Sequence, residues 1–180
     1  MTQYAAALVF PAELSGWIDA LRQEYLRYVN YSIEPHITLV YPFMPETDIT
    51  VINKKIKQVA ERTNSFTLIL NGFEYFDGKN NVAYIAIENK QPVADLHYDI
   101  NQSIGELVKD EFNGRFNLHS FISHVTIGEQ IPNEVLRVAK KRLSEIEAHY
   151  EADITSFTLF CGSEDGVWTP AEVFLLTGDN

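Results

Sequence analysis

The amino-acid sequence predicts an α+β fold: a duplicated, two-lobed architecture with pseudo-two-fold symmetry, antiparallel-rich sheets flanked by helices, and a central cleft. Three observations predict it. Strand-like and helix-like segments alternate in the same order in both halves. A dense turn signal, Asp77-Gly78-Lys79-Asn80-Asn81, falls near the middle. The second strand of each half also carries the same four-residue pattern. With 180 residues and 46% hydrophobic content, the chain can bury one ordinary core. One unit is therefore expected over 1–180, with lobes near 1–77 and 82–180 and room for the last strand to cross between them.

The elements follow in order. Tyr4 to Phe10 is short, apolar and partly aromatic, as a buried strand is. After Pro11, Leu14, Trp17, Ile18, Leu21, Tyr25 and Leu26 recur at steps of three and four, the stripe of an amphipathic helix. Pro35 forces an extended approach to a strand from His36 to Tyr41, which Pro42 should end. Asp48 or Thr50 can cap a helix with Ile52, Ile56, Val59 and Ala60 inward. Phe66 to Leu70 and Glu74 to Phe76 read as extended. Past the turn, Val82 to Glu88 is a strand, and Pro92 starts a helix with the stripe Val93, Leu96, Ile100, Ile104, Leu107 and Val108. Phe121 to Gly128 is a strand, and Asn133 can cap a helix with Leu136, Ala139, Leu143 and Ile146 inward. Strands at Ile154 to Cys161 and Val173 to Thr177 complete the pattern.

Composition removes several function classes. A formal net charge of -11 disfavours wrapping long DNA by counterion release, though a terminal phosphate remains accessible. The single cysteine, Cys161, supports neither an internal disulfide nor a cysteine zinc cage. No segment reads as a signal peptide or a membrane helix. A cytoplasmic monomer with no membrane partner and no cofactor is expected.

The repeated pattern is His36-Ile37-Thr38-Leu39 and His124-Val125-Thr126-Ile127. Side chains alternate across a strand, so each histidine shares a face with its threonine while two aliphatic residues anchor the strand from behind. With 11 threonines in 180 residues, two of five histidines would gain a Thr two places on by chance in about 3% of such sequences. Two imidazoles facing a phosphate suit general acid and base catalysis, because one can be neutral and the other protonated near neutral pH. The hydroxyls add donors for non-bridging oxygens. The usual further ligands of a metal site do not stand near either motif, so no metal is expected.

These motifs, with Tyr41-Pro42-Phe43 after the first and Gly128 after the second, resemble those of the two-histidine phosphoesterase superfamily, in particular 2'-5' RNA ligase-like and cyclic phosphodiesterase proteins. The resemblance implies metal-independent chemistry on 2',3'-cyclic phosphates or 2'-5' linkages of nucleotides or RNA ends. It makes His36 and His124 the acid and base, and Thr38 and Thr126 the phosphate holders. His124 is expected as the base and His36 as the acid, although duplication gives no chemical asymmetry to read. Tyr41 and Phe43 are candidates for stacking on a base. No cationic phosphate ligand stands beside either motif, Arg115 being the nearest before the second. The basic residues of two helices, Lys54, Lys55, Lys57 and Arg62 and then Arg137, Lys140, Lys141 and Arg142, read as solvated faces. His97, His119 and His149 receive no role. The rival readings are a non-catalytic binder of nucleotide or RNA-terminal phosphates, and an interaction protein using its acidic surface.

Overall fold

The computed structural model describes residues 2–25, 33–110 and 121–178. Leu26 of the first helical stripe, Arg115 and His119 lie outside them.

The first half runs β1 (Gln3–Val9), α1 (Ala12–Tyr25), β2 (His36–Pro45), α2 (Ile49–Arg62) and β3 (Phe66–Phe76). The second runs β4 (Val82–Ile87), α3 (Gln91–Ile104), a 3-10 turn over Gly105–Leu107, β5 (Val108–Asp110), β6 (His124–Gly128), α4 (Asn133–Leu143), β7 (His149–Ile154), β8 (Ser156–Gly162) and β9 (Trp168–Leu175). The strands form two sheets, ordered β5-β2-β1-β8-β9 and β6-β4-β3-β7, with antiparallel pairing throughout. The two sheets have a common plan: β2-β1-β8-β9 corresponds to β6-β4-β3-β7. Each sheet therefore borrows strands from the other half, since β3 pairs with β4 and β7 while β8 pairs with β1.

One continuous core joins both halves. It includes Leu8, Ile18, Leu39, Ile56 and Leu70 from the first, and Ile85, Ile100, Val125, Leu143 and Phe157 from the second. The α2 stripe is buried as its periodicity requires, and Asp48 provides the cap, accepting from the Thr50 amide at 2.8 Å. No helix among the described residues is long and apolar enough to cross a membrane.

Several elements depart from the sequence expectation, each for a local reason. β2 does not stop at Pro42 but continues to Pro45, where it pairs with β5 through Phe43, Met44 and Pro45. Leu107 and Val108 leave the helical stripe: α3 ends at Ile104, and Val108 begins β5. Phe66 to Phe76 is one strand, with a register irregularity between Leu70 and Phe73 that Gly72 accommodates at a φ of 72°. Phe121 to Ser123 precede β6 rather than belonging to it. Asn133 does not cap α4. Its side chain accepts from Asn81 at 2.8 Å, and Pro132 occupies the cap position. Ile146 is 38% exposed, beyond the end of α4. The sequence pattern does not predict β7, which His149 opens, and β9 begins at Trp168, ahead of the expected start at Val173.

Candidate active site

The two motif strands show the predicted alternation. Ile37, Leu39, Val125 and Ile127 are buried, whereas His36, Thr38, His124 and Thr126 are half-buried on the opposite faces. On β1, Ala7 lies opposite Thr38; on β4, Tyr84 lies opposite Thr126 and Ala86 opposite His124. Each motif is braced by a helix of the other half. Arg22 of α1 donates Nε–H to the Thr126 carbonyl at 3.1 Å. His97 and Asn101 of α3 donate to the Leu39 carbonyl at 2.7 and 3.1 Å. Gly128, closing the second motif, permits a close approach of α1, since a Cβ there would stand 3.0 Å from the Cβ of Tyr25 and 2.7 Å from the Ile131 side chain.

Both motif imidazoles are held in the same way. His36 Nδ1 lies 2.8 Å from the Glu34 carbonyl, and His124 Nδ1 lies 2.8 Å from the Ile122 carbonyl, in each case two residues back along the chain. A carbonyl only accepts, so the proton resides on Nδ1 in both neutral rings and Nε2 is the atom left for chemistry. Burial is the main influence on both titrations. Together with the smaller effects of the Arg22 and His124 charges, it lowers His36 to about 4, against the upward pull of the Glu34 carbonyl. His124 is lowered too, chiefly by burial, while its bond to Ile122 and the Glu129 carboxylate act in the opposite direction. The two motif strands, β2 and β6, approach one another although they belong to different sheets.

The surroundings of the pair are asymmetric. Phe76 and Tyr84 flank His124, with centroid separations of 5.3 and 5.1 Å, and stand 4.4 Å from each other. Tyr84 donates its hydroxyl to Glu74 at 2.9 Å, and burial followed by that carboxylate pushes the phenol up to about 12. At the position corresponding to Tyr84, the first motif has only Ala7.

The remaining candidates fall elsewhere. Phe43 is 2% exposed, part of the core and stacked at 6.1 Å on Tyr4, so its ring is not available to a base, which corrects the expectation for that residue. Tyr41 is half-buried on β2. The basic residues of α2 are exposed, as are Arg137, Lys141 and Arg142 of α4, with Lys140 partly covered. Several of them pair with carboxylates, Lys140 with Asp77 at 2.8 Å and Arg62 with Asp99 at 3.5 Å. Among the described residues no three His, Cys, Asp or Glu side chains converge as a metal site would require.

Sequence reasoning missed Arg22, Phe76, Tyr84 and Glu129. The one available signal was for Arg22, which lies one position past Leu21 and so borders the apolar stripe of α1.

Comparison with known proteins adds three findings. A family model described as the 2'-5' RNA ligase superfamily matches residues 10–166. "Putative phosphoesterase GK0864" of Geobacillus kaustophilus is 25% identical over 177 residues, covering 98% of this chain and 97% of its own. Two solved structures share the fold. TT0787 of Thermus thermophilus has a TM-score of 0.70 at 19% identity, covering 99% of this chain and 100% of that one. LigT of E. coli in complex with 3'-AMP has a TM-score of 0.68 at 17% identity, covering 98% of each chain.

Proposed function

Because this chain belongs to the 2'-5' RNA ligase superfamily, we propose that it is a phosphoesterase acting on 2',3'-cyclic phosphates or 2'-5' linkages at the ends of nucleotides or RNA, with His36 and His124 as its acid and base. The observation that carries this reading is the matched pair of Nδ1 hydrogen bonds, to Glu34 and Ile122, which leaves both Nε2 atoms for proton transfer. Thr38 and Thr126, on the same faces as their histidines, donate to the non-bridging oxygens as charge builds at phosphorus. In hydrolysis of a cyclic phosphate, one imidazole takes a proton from the attacking water while the other protonates the departing ribose oxygen. The phosphorus gains one P–O bond and loses another, and a phosphomonoester results. LigT, which shares the fold, was solved with 3'-AMP, a nucleotide with a phosphate at its 3' end. The phosphoesterase name of the Geobacillus relative agrees in reaction class.

The test is turnover on a panel of 2',3'-cyclic mononucleotides and 2'-5' dinucleotides, with products identified by phosphorus NMR. Conversion of a cyclic phosphate to a single monoester is expected. Affinity without product would make the protein a binder, and neither affinity nor product would remove the phosphate reading altogether.

A further inference from the structure

The two sheets place equivalent cross-strand rows beside the two motifs, and the rows end differently. In the first, Thr38 lies opposite Ala7, Ala7 opposite Thr158, and Thr158 opposite Val173 on the edge strand β9. In the second, Thr126 lies opposite Tyr84 and Tyr84 opposite Glu74. Paired residues point to one face, so both rows lie on the faces that carry the histidines. Ala7 and Thr158 are 2% and 5% exposed, and the exposed Val173 beyond them offers no polar atom. Glu74, at the position equivalent to Thr158, is exposed. Its Oε2 accepts from the Tyr84 hydroxyl at 2.9 Å, and the Tyr84 ring stands 5.1 Å from that of His124. Phe76 lies two residues further along the same face, half-buried, 5.3 Å from the His124 ring and 4.4 Å from Tyr84. Its counterpart in the first row's sheet, Phe160, is 2% exposed.

We infer that Glu74 and Phe76 form a base subsite and make this chain select guanine, Phe76 by stacking and Glu74 by accepting from the pairing edge of the base. The inference rests on His36 and His124 marking the position of the phosphate. A carboxylate repels phosphate and only accepts hydrogen bonds, so the group it meets in a substrate must be a donor. Guanine presents two neighbouring donors, N1–H and the N2 amino group, which match the two oxygens of a carboxylate. Uracil presents one N–H between two carbonyl oxygens, which a carboxylate repels. Unpaired bases are read in this way, stacked on an aromatic ring and hydrogen-bonded at the pairing edge. Glu74 stands two strand spacings from Thr126, roughly 10 Å, a distance that one nucleoside spans between its phosphate and the pairing edge of its base. The first half offers neither an accessible ring nor a carboxylate at the matching positions, so a base whose phosphate lies between the motifs has one side to turn to.

The test is isothermal titration calorimetry of the whole chain with 3'-GMP, 3'-UMP and inorganic phosphate, for the wild type, Glu74→Gln and Phe76→Ala. The wild type should bind 3'-GMP at least about tenfold tighter than 3'-UMP. Glu74→Gln keeps an acceptor for Tyr84 but sets an amide against the guanine donors, so the preference should fall below about threefold. Phe76→Ala should weaken both nucleotides about tenfold relative to inorganic phosphate, as loss of one stacking contact does. Equal affinity of the wild type for the two nucleotides, or a guanine preference that survives in Glu74→Gln, overturns the inference and leaves the phosphate reading intact. If neither phosphate nor either nucleotide binds the wild type, the phosphate reading falls and the inference with it. The base preference is read first in the wild type, so the test does not depend on either variant folding.

Discussion

His97 donates its Nδ1 proton to the Leu39 carbonyl at 2.7 Å, tying α3 of the second half to the motif strand of the first. Its ring lies flat on Phe121, with centroids 3.8 Å apart and planes 7° from parallel. At 1% exposure it carries no charge without penalty, and burial lowers its titration as it lowers those of His36 and His124.

Those three histidines make stability depend on pH in one direction. Each takes up a proton in the unfolded chain near pH 6.5, but in the folded chain only at lower pH, about 4 for His36. Between those values the unfolded state binds more protons, so stability rises with pH through the window. Stability is fully present above 6.5 and is lost as pH falls toward 4. Thermal unfolding should give a lower Tm at about pH 5 than at about pH 7.5, with His97→Gln reducing the difference. An equal Tm at both values would contradict the burial assigned to these rings.

Asn81 should be the most sensitive polar residue of the central turn. It is 6% exposed, and its amide donates to the Ile131 carbonyl and to Asn133 at 2.8 Å each while accepting from the Gly78 amide at 3.1 Å. Asn81→Ala leaves the buried Ile131 carbonyl and the Gly78 amide of the turn without this partner, so urea unfolding should show a loss of about 1–3 kcal/mol. A loss within roughly 0.5 kcal/mol, the scale of an ordinary surface change, would mean that water replaces these bonds.

The parts legible in sequence were those set by local periodicity. The helices at Leu14 to Tyr25 and at Ile52 to Ala60 follow from apolar spacing, and the two His-x-Thr faces follow from strand alternation. Contacts across the chain were not legible. Arg22 acquires its meaning from Thr126, 104 residues away, and Asn133 is occupied by Asn81 rather than by its own helix. The run that includes Leu107 and Val108 misled because an apolar step of three continues past the helix into a strand. β7 went unread because His149 and Glu151 are exposed while only Ala152 and Ile154 are buried, which leaves too short an apolar pattern. Phe43 looked like a stacking residue by its place after the motif, but the continuation of β2 carries it into the core.

Thr38→Val and Thr126→Val keep the shape of a β-branched side chain and remove a donor. Each should cost about 2–4 kcal/mol of transition-state stabilisation, read as a fall in kcat with the fold unchanged by circular dichroism. Losses below about tenfold for both would leave the threonines as strand residues only.

Hydrolysis of the best substrate should survive exhaustive treatment with a chelator, because the reaction as proposed uses imidazoles and hydroxyls alone. Activity lost on chelation and restored by a divalent ion would replace that chemistry with a metal-assisted one.

The most direct measurement of the central claim is kcat/KM for His36→Ala, His124→Ala and the double variant on the best 2',3'-cyclic nucleotide, each shown to be folded. Acid and base acting on one transition state predict a loss of at least about 10² for each single variant, and a double loss smaller than their product. Near-wild-type turnover by either folded single variant would contradict the account.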